Sequence, residues 1–546
     1  MDLQQFLLLR LDSGNVSEIK NALRAFCEDN ATSFSFPGYD REQLDKLYAL
    51  LFNILSTPKF AECHVDCLAC FKLLFRDSKY LDEVITQDKF NIIVQTARLH
   101  NTQPTVCYST LSMSDFDVMI EAEKALCNLI YNSKQVQQMC HFSRSTILQS
   151  IIYRLRTYSD PHLPYHVKLF DMKLLFLITA FCPDVRLHVK EEQHGVIYLI
   201  EILDLILKQA TATDGKQTQH PQILLNEEQV LLLAEVLKTL FNLLCKYSLS
   251  QPLDDDDPLS HRLVSFLREL LLCRGTTDSK IDLLRTHVIN LLTTVSPSSL
   301  EELGSNAPDG SGSHSTDAIH TIVNYLHEEF QRRSDGNQSG LTNLANVDTI
   351  LPVLLVLSEA ARHHKTLRRL IRQLVLPARK DFSSRPEEGD SLLSHLTRCL
   401  SCGNNTLRDC CAELLFVLCK ENPGRLIKYT GYGNAAGMLA ARGLLGCQNN
   451  GQYSSSSEES DTEEYLRVRD DINPITGVYE PPKPDHTIEM SEERKEYEAL
   501  QLVGMIDKLQ KLGVVQPCKV GEDGNPQPVE HILELQGQLP NPHRNE

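Results

Sequence analysis

The sequence contains no tryptophan, and it has no run of alternating Val, Ile, Thr and Tyr closed by hairpin turns, the pattern strands need. An all-α chain follows. No stretch of about 18 to 20 apolar residues occurs, so no membrane-spanning helix is expected. No apolar segment follows a basic one near Met1, so no secretory signal is expected, and the chain reads as cytosolic. Basic residues are in the minority: 54 Lys and Arg face 72 Asp and Glu, a formal charge of -18. Sequence-independent binding to nucleic acid draws most of its affinity from phosphate neutralisation, so neither RNA nor DNA is expected as a partner.

Motifs of covalent catalysis are missing too. No Ser-His-acid order, HExxH or GxxxxGK[ST] stands out, so no catalytic residue and no cofactor is assigned, and the chain is not read as an enzyme in the covalent sense. The segment Gly431-Tyr432-Gly433-Asn434-Ala435-Ala436-Gly437 looks like a dinucleotide-binding fingerprint with one spacing altered. That motif needs a buried parallel strand before its turn, and Lys428-Tyr429-Thr430 is not one, which leaves a glycine turn between packed helices. The 17 cysteines are diluted over a long chain and sit mostly inside apolar helical patterns, where they act as small hydrophobes. Two clusters raise the question of zinc: Cys63, His64, Cys67 and Cys70, and Cys399, Cys402, Cys410 and Cys411. Spacings of three and four place Cys63, Cys67 and Cys70 along one helix face, which suits packing better than a tetrahedral knuckle. No metal site is assigned.

What is present is helix after helix. At 546 residues the chain has room for several domains or one long repeat array, and its leucine-rich apolar patterns favour the array. Aligning the inner helices gives ALCNLI centred on Asn128, LLFLI on Phe176, TLFNLL on Asn242, VINLL on Asn290, VLLVL near Val356 and ELLFVL on Phe416. The steps are 48, 66, 48, 66 and 60 residues. The longer steps contain loop-like inserts at Ala210, Gly304 and Ser334, or the basic segment after Leu376. Without these the period approaches the roughly 40 to 47 residues of armadillo and HEAT repeats. One such repeat cannot bury its own apolar stripe, whereas stacked neighbours can, leaving a concave groove. The predicted architecture is an all-α, armadillo/HEAT-like superhelix over residues 1–447. Its last repeat spans Leu407 to Leu445, two apolar helical patterns flanking a glycine-rich turn. An acidic, serine-rich and proline-containing disordered linker follows over 448–488. An amphipathic helix over 489–513 carries Tyr497, Leu500, Val503, Ile506 and Leu509 at helical spacing, and a flexible tail occupies 514–546.

Binding is the chemistry that remains. A primary amide in an apolar helix must find partners, because an unsatisfied buried polar group costs about 1 to 3 kcal/mol. Asn128, Asn242 and Asn290 either line a groove, holding the backbone of a bound segment, or cap neighbouring helices and loops. Lys72 and Arg76 share a helix face at i and i+4. Lys365, Arg368, Arg369, Arg372, Arg379 and Lys380 form a basic run that is either a solvated face or a positive wall receiving an acidic helix or a C-terminal carboxylate. Ser455, Ser456 and Ser460 each have an acid three residues on, the pattern of acid-directed kinases, and phosphorylation would add about 1.5 to 2 negative charges per site.

Several stretches carry a resemblance in order along nearly the whole chain. They are FRD at Phe75 to Asp77, ALCNL around Asn128, LLFLITAF, VLPARKDFSSRPEEG, AELLFVLCKENPGRLIKYTGYGNAAGMLAARGLL, the acidic SSSSEESDTEEY, INPITG at Ile472 to Gly477, and EERKEYEALQLVGMIDKL. Together they make the chain similar to the synembryn, or resistance-to-inhibitors-of-cholinesterase-8, family. The resemblance implies an armadillo/HEAT-like superhelix acting as a chaperone and non-receptor guanine nucleotide exchange factor for heterotrimeric G-protein alpha subunits, whether GDP-bound, nucleotide-free or nascent. It implies that the groove takes the alpha subunit's C-terminal helix, with Lys72, Arg76 and Asn128 at matching positions; the repeat alignment, independently of the resemblance, puts Phe176, Asn242 and Asn290 along the same inner row as candidate partner-binding residues. Lys72 stands where some members have Arg, which keeps the charge and loses bidentate geometry. The resemblance also implies phosphorylation of the acidic tract by a casein-kinase-2-like enzyme, and a cytoplasmic protein recruited to the cell cortex. The competing class is an armadillo-type adaptor that binds linear peptides without altering nucleotide exchange.

Overall fold

The computed structural model describes residues 3–100, 108–141, 146–213, 223–245, 258–275, 277–304, 316–335, 347–377, 381–445, 471–480, 490–521, 525–531 and 534. The chain divides into two compact units, Met1–Ser299 and Leu300–Glu546. Both are all-α. The only strands among the described residues are pairs two or three residues long, Leu224–Leu225 with Arg274–Gly275 and Cys518–Val520 with Pro526–Pro528.

In the first unit the helices are α1 (Leu3–Leu11), α2 (Val16–Asp29), α3 (Arg41–Ser56), α4 (His64–Leu74), α5 (Leu81–Val84), α6 (Gln87–Thr96), α7 (Met113–Asn132), α8 (Lys134–Met139), α9 (Ile147–Leu155), α10 (Tyr165–Phe181), α11 (Pro183–Leu187), α12 (Gly195–Thr213), α13 (Glu227–Leu244), α14 (Pro258–Leu272) and α15 (Asp278–Leu292). Their starts are written locally. Asp40 with Gln43, Ser112 with Asp115 and Asn226 with Gln229 each form a capping box, satisfying backbone N–H groups that the first helical turn leaves open.

Packing follows the repeat predicted from the asparagine-centred patterns. Helix α4 lies against α7, α7 against α10, α10 against α13 and α13 against α15. Each inner member of this row has a neighbour on two sides and so needs two apolar stripes. On α13, Val230, Leu232, Leu233, Ala234, Val236, Leu237, Leu240 and Leu243 are all buried, which leaves only a narrow outer stripe. This row of stacked helices is the armadillo/HEAT-like core of the unit.

A buried charge cluster inside the row breaks the apolar rule. Glu123 of α7, Arg154 of α9 and Asp171 of α10 are all buried. The Arg154 guanidinium lies 2.7 Å from Glu123 Oε1 and 3.3 Å from Asp171 Oδ1, and it also donates to the Ala97 carbonyl at 3.1 Å. Burial pushes both carboxyls up, Asp171 to about 6, with the Arg154 charge opposing it. One cation thus ties three helices together where an unpaired charge would be prohibitive.

The second unit contains α16 (Asp317–Asp335), α17 (Val347–His363), α18 (Lys365–Val375), α19 (Leu392–Cys399), α20 (Asn405–Leu418), α21 (Pro423–Thr430), α22 (Tyr432–Ala441) and α23 (Glu492–Lys511). Helix α17 packs on α16, α18 and α20, and α20 also meets α19, α21 and α22. Helix α20 ends at Leu418, ahead of the expected stop at Asn422-Pro423-Gly424, where Lys420 and Glu421 turn the chain at positive φ, and Pro423 opens α21. Proline is tolerated at the first helical position, and Asn422 accepts from the Arg425 N–H at 3.0 Å. The stretch read as a turn between two helices therefore holds a third. Helix α23 matches its sequence pattern and buries no side chain, so Tyr497, Leu500, Met505 and Leu509 are exposed.

Candidate functional site

The outward stripe of the stacked row in the first unit is where Lys72, Asn128, Phe176 and Asn242 fall. Lys72, near the end of α4, sends Nζ to Glu121 Oε2 of α7 at 3.0 Å, and Glu121 Oε1 receives Lys124 Nζ at 2.6 Å. Burial pushes the Glu121 carboxyl up, but the hydrogen bonds and charges of Lys124 and Lys72 outweigh it and hold the group below its ordinary value. The ammonium of Lys124 lies 5.4 Å from the centre of the Phe170 ring on α10, and that of Lys173 lies 4.9 Å from the same ring. One step along the row, Lys238 of α13 sits 4.7 Å from the ring of Phe176 and 2.8 Å from Glu235. Beyond it His287 of α15 is held neutral, its imidazole lowered to about 4 by burial and then by the Lys238 charge. Four lysines therefore face two carboxylates among aromatic rings, a net positive stripe with apolar floor.

The asparagines serve this stripe from beneath. Asn128 Nδ2 donates to the Lys72 carbonyl at 2.8 Å, and Asn132 Nδ2 donates to the Phe75 carbonyl at 2.8 Å. These carbonyls belong to the last turn of α4 and its C-cap, where no intrahelical donor remains. Asn242 Nδ2 reaches the Phe176 carbonyl at 3.3 Å and Thr179 Oγ1 at 3.1 Å. Of the two roles open to these amides, Asn128 fills the capping one, while Asn242 bonds inside the last two turns of α10 and caps no helix end; each ties its helix to the preceding member of the row. Asn290 lies half-buried on α15, and its side chain makes no such bond among the described residues.

Arg76 stands apart from Lys72. Its guanidinium donates to the carbonyls of Ala31 at 2.9 Å and Ser33 at 3.3 Å, beyond the end of α2, and lies 5.2 Å from the exposed Phe34 ring. Lys124, Lys173, Lys238 and Phe170 were not singled out from the sequence. Their signal was present as spacing: Lys124 is four residues before Asn128, Lys173 three before Phe176, and Lys238 four before Asn242, so each shares a helix face with a residue already chosen.

In the second unit, Gly431 adopts φ +75°, and the N–H groups of Tyr432 and Gly433 at the start of α22 donate to the carbonyls of Pro474 and Ile475 at 2.8 and 3.0 Å. The same strap, residues 471–480, also donates from Tyr479 N–H to the Phe382 carbonyl at 2.7 Å. It lies in the stretch assigned to a disordered linker, yet it is docked. The N–H groups that a phosphate-binding turn would offer to an anion are thus occupied by the chain's own backbone. Of the basic run, Arg368 donates to the Ala361 carbonyl at 3.1 Å and Arg372 to the Tyr429 hydroxyl at 3.3 Å. Arg379 and Lys380 lie outside the described residues, as do Ser455, Ser456 and Ser460. Among the described residues no group of three or more His, Cys, Asp and Glu is placed to hold a metal ion, and no helix is long and apolar enough to cross a membrane.

A family model described as guanine nucleotide exchange factor synembryn matches residues 67–525. Chaperone Ric-8 of Drosophila melanogaster is 34% identical, with 98% of this chain and 97% of that one covered. Chaperone Ric-8A of Gallus gallus is 32% identical, with 96% and 95% covered. A crystal structure of SYS-1 overlaps at a TM-score of 0.41 and 12% identity, covering 89% of this chain and 83% of that one, a likeness too loose to add to the fold described above. Matched over most of its length by the model and nearly end to end by these relatives, the chain belongs to the synembryn (Ric8) family of guanine nucleotide exchange factors.

Proposed function

We propose that this protein captures the last helix of heterotrimeric G-protein alpha subunits on the lysine and aromatic stripe of its first unit, and so acts as their exchange factor and folding chaperone. Membership of the synembryn family carries this reading. The stripe supports it, because a positive surface with an apolar floor suits an amphipathic helix that ends in a carboxylate. The mechanism is linkage without bond chemistry. If only the form whose last helix has swung free can bind, binding energy shifts the population towards that form, and GDP escapes. GTP favours the closed form and releases the partner. The same preference for an incomplete GTPase stabilises a nascent alpha subunit by mass action.

On this reading the protein works in the cytoplasm and at the cortex, and an acid-directed kinase modifies Ser455, Ser456 and Ser460. The deciding experiment measures GDP dissociation from purified alpha subunits with and without the protein. Faster release that is lost when the alpha subunit's last helix is deleted is the expected result. Unchanged release alongside retained binding would make the protein an adaptor.

A further inference from the structure

We propose that Cys27 and Cys70 are a site of reversible oxidation, at which a hydroperoxide converts the two thiols to a disulfide stapling α2 to α4. Their sulfur atoms lie 3.4 Å apart, one on each helix. One turn earlier on α2, the Arg24 guanidinium pairs with Asp66 of α4 at 3.3 Å, so the two helices are held in register beside the thiols. Closing the gap to the roughly 2.05 Å of a disulfide asks for a small approach of two helices already in contact.

The surroundings select this pair from the other cysteines. Cys63 and Cys67 of the same cluster direct their sulfurs at the carbonyls of Val16, 3.6 Å, and Leu51, 3.4 Å, whereas Cys70 faces both the Leu23 carbonyl, 3.5 Å, and the Cys27 sulfur, 3.4 Å. Burial pushes the thiols of Cys67, Cys140, Cys411 and Cys419 up, and that of Cys70 as well, which suppresses the thiolate that reacts and leaves Cys27 as the sulfur of the pair to be oxidised first. Cys27 is half-buried, and its thiol is moved the other way. Its hydrogen bond with Cys70 holds it below its ordinary value against the effect of burial, with the Lys72 charge helping and the Asp66 and Glu121 charges opposing. Cys70 is 1% exposed and so is shielded from direct attack, which gives the two sulfurs distinct roles.

Cys27 thiolate attacks the terminal oxygen of the hydroperoxide. An S–O bond forms, the O–O bond breaks, and the alkoxide or hydroxide leaves. The sulfenic acid then meets Cys70: its sulfur attacks that of Cys27, the S–S bond forms, and the hydroxide departs with the Cys70 proton as water. Two electrons pass from the sulfurs to the peroxide. The staple would restrain the end of α2 and the adjoining Ala31 and Ser33 carbonyls that anchor Arg76.

Full-length protein treated with hydrogen peroxide and digested without reductant tests this by peptide mass mapping. The expected product joins the peptides carrying Cys27 and Cys70, lighter by two hydrogen atoms than the separate pair, and is reversed by dithiothreitol. It should be absent from Cys27→Ser, whose half-buried site tolerates a hydroxyl, and from Cys70→Ala. Wild-type protein needs no substitution to give the answer. Cys27 that stays reduced, joins another cysteine, or proceeds to the sulfinic acid without a cross-link would overturn the proposal.

Discussion

The side-chain amide of Asn128 donates to the backbone carbonyl of Lys72 at 2.8 Å, so one residue of α7 closes the open end of α4. Leaving that carbonyl without its donor should cost about 1 to 3 kcal/mol. Asn128→Ala is therefore expected to speed amide exchange across residues 72–77 while leaving the second unit unchanged. Asn128→Asp should be worse, because a carboxylate would replace the donor with a charge facing the carbonyl oxygen. Equal exchange in wild type and both variants would show that the bond adds nothing to the end of α4.

Lys124, Lys173 and Lys238 bear on the proposed partner. Each lies within cation–π distance of Phe170 or Phe176, contacts worth about 0.5 to 1 kcal/mol at exposed sites. Replacement by Met keeps the stem over the ring and removes the charge; replacement by Glu reverses it. Binding of a synthetic peptide carrying the last helix of an alpha subunit should weaken about tenfold per reversal, roughly 1.4 kcal/mol, and less for Met. The loss should shrink as salt is raised. Calorimetric titration at two ionic strengths measures both trends.

The row of inner helices was legible because a helix packed on two sides leaves a dense apolar period, and the shared Asn or Phe marked the same level in successive repeats. The lysines of the stripe were harder to see. In one dimension Lys124 and Lys238 look like any solvated charge, and only the stacking brings them to the Phe170 and Phe176 rings on α10. Glu123, Arg154 and Asp171 leave no mark in the sequence: each stands beside other charges, between Glu121 and Lys124, before Arg156, and between Lys168 and Lys173, and three distant helices must pack before the pairing exists. The strap at 471–480 has no periodicity and so reads as linker; it is held through backbone carbonyls, which sequence patterns do not display.

That strap makes Gly431 testable. A Cβ there would come within 2.9 Å of the Ile475 carbonyl oxygen at a φ of +75°, so Gly431→Ala faces both backbone strain and a clash, of order 1 to 3 kcal/mol. Release of the strap is expected, seen as faster exchange at Tyr432, Gly433 and residues 471–480 and as new proteolytic cleavage there. Gly437, inside α22, has nothing within 4 Å of a built Cβ. Gly437→Ala should therefore be neutral or stabilising, by up to about 1 kcal/mol from helix propensity. If the two alanines behaved alike, the strap would not depend on Gly431.

His287 gives the stripe a pH signature. Burial, then the charge of Lys238, lowers its imidazole from an ordinary 6.5 to about 4 in the folded chain. Between those values the unfolded chain binds a proton that the folded chain refuses, so stability rises with pH across this window. The contribution is fully present above 6.5 and is lost as pH falls towards 4. His287→Gln should remove this part of the acid sensitivity, read as the difference in melting temperature between variant and wild type over the same range. Lys238→Met should move the His287 titration upward by removing the cation without reversing burial, and carbon-labelled imidazole resonances, assigned with the Gln variant, would follow it directly. A His287 resonance that titrates at its ordinary value in wild type would place the imidazole in water, and with it the floor of the stripe.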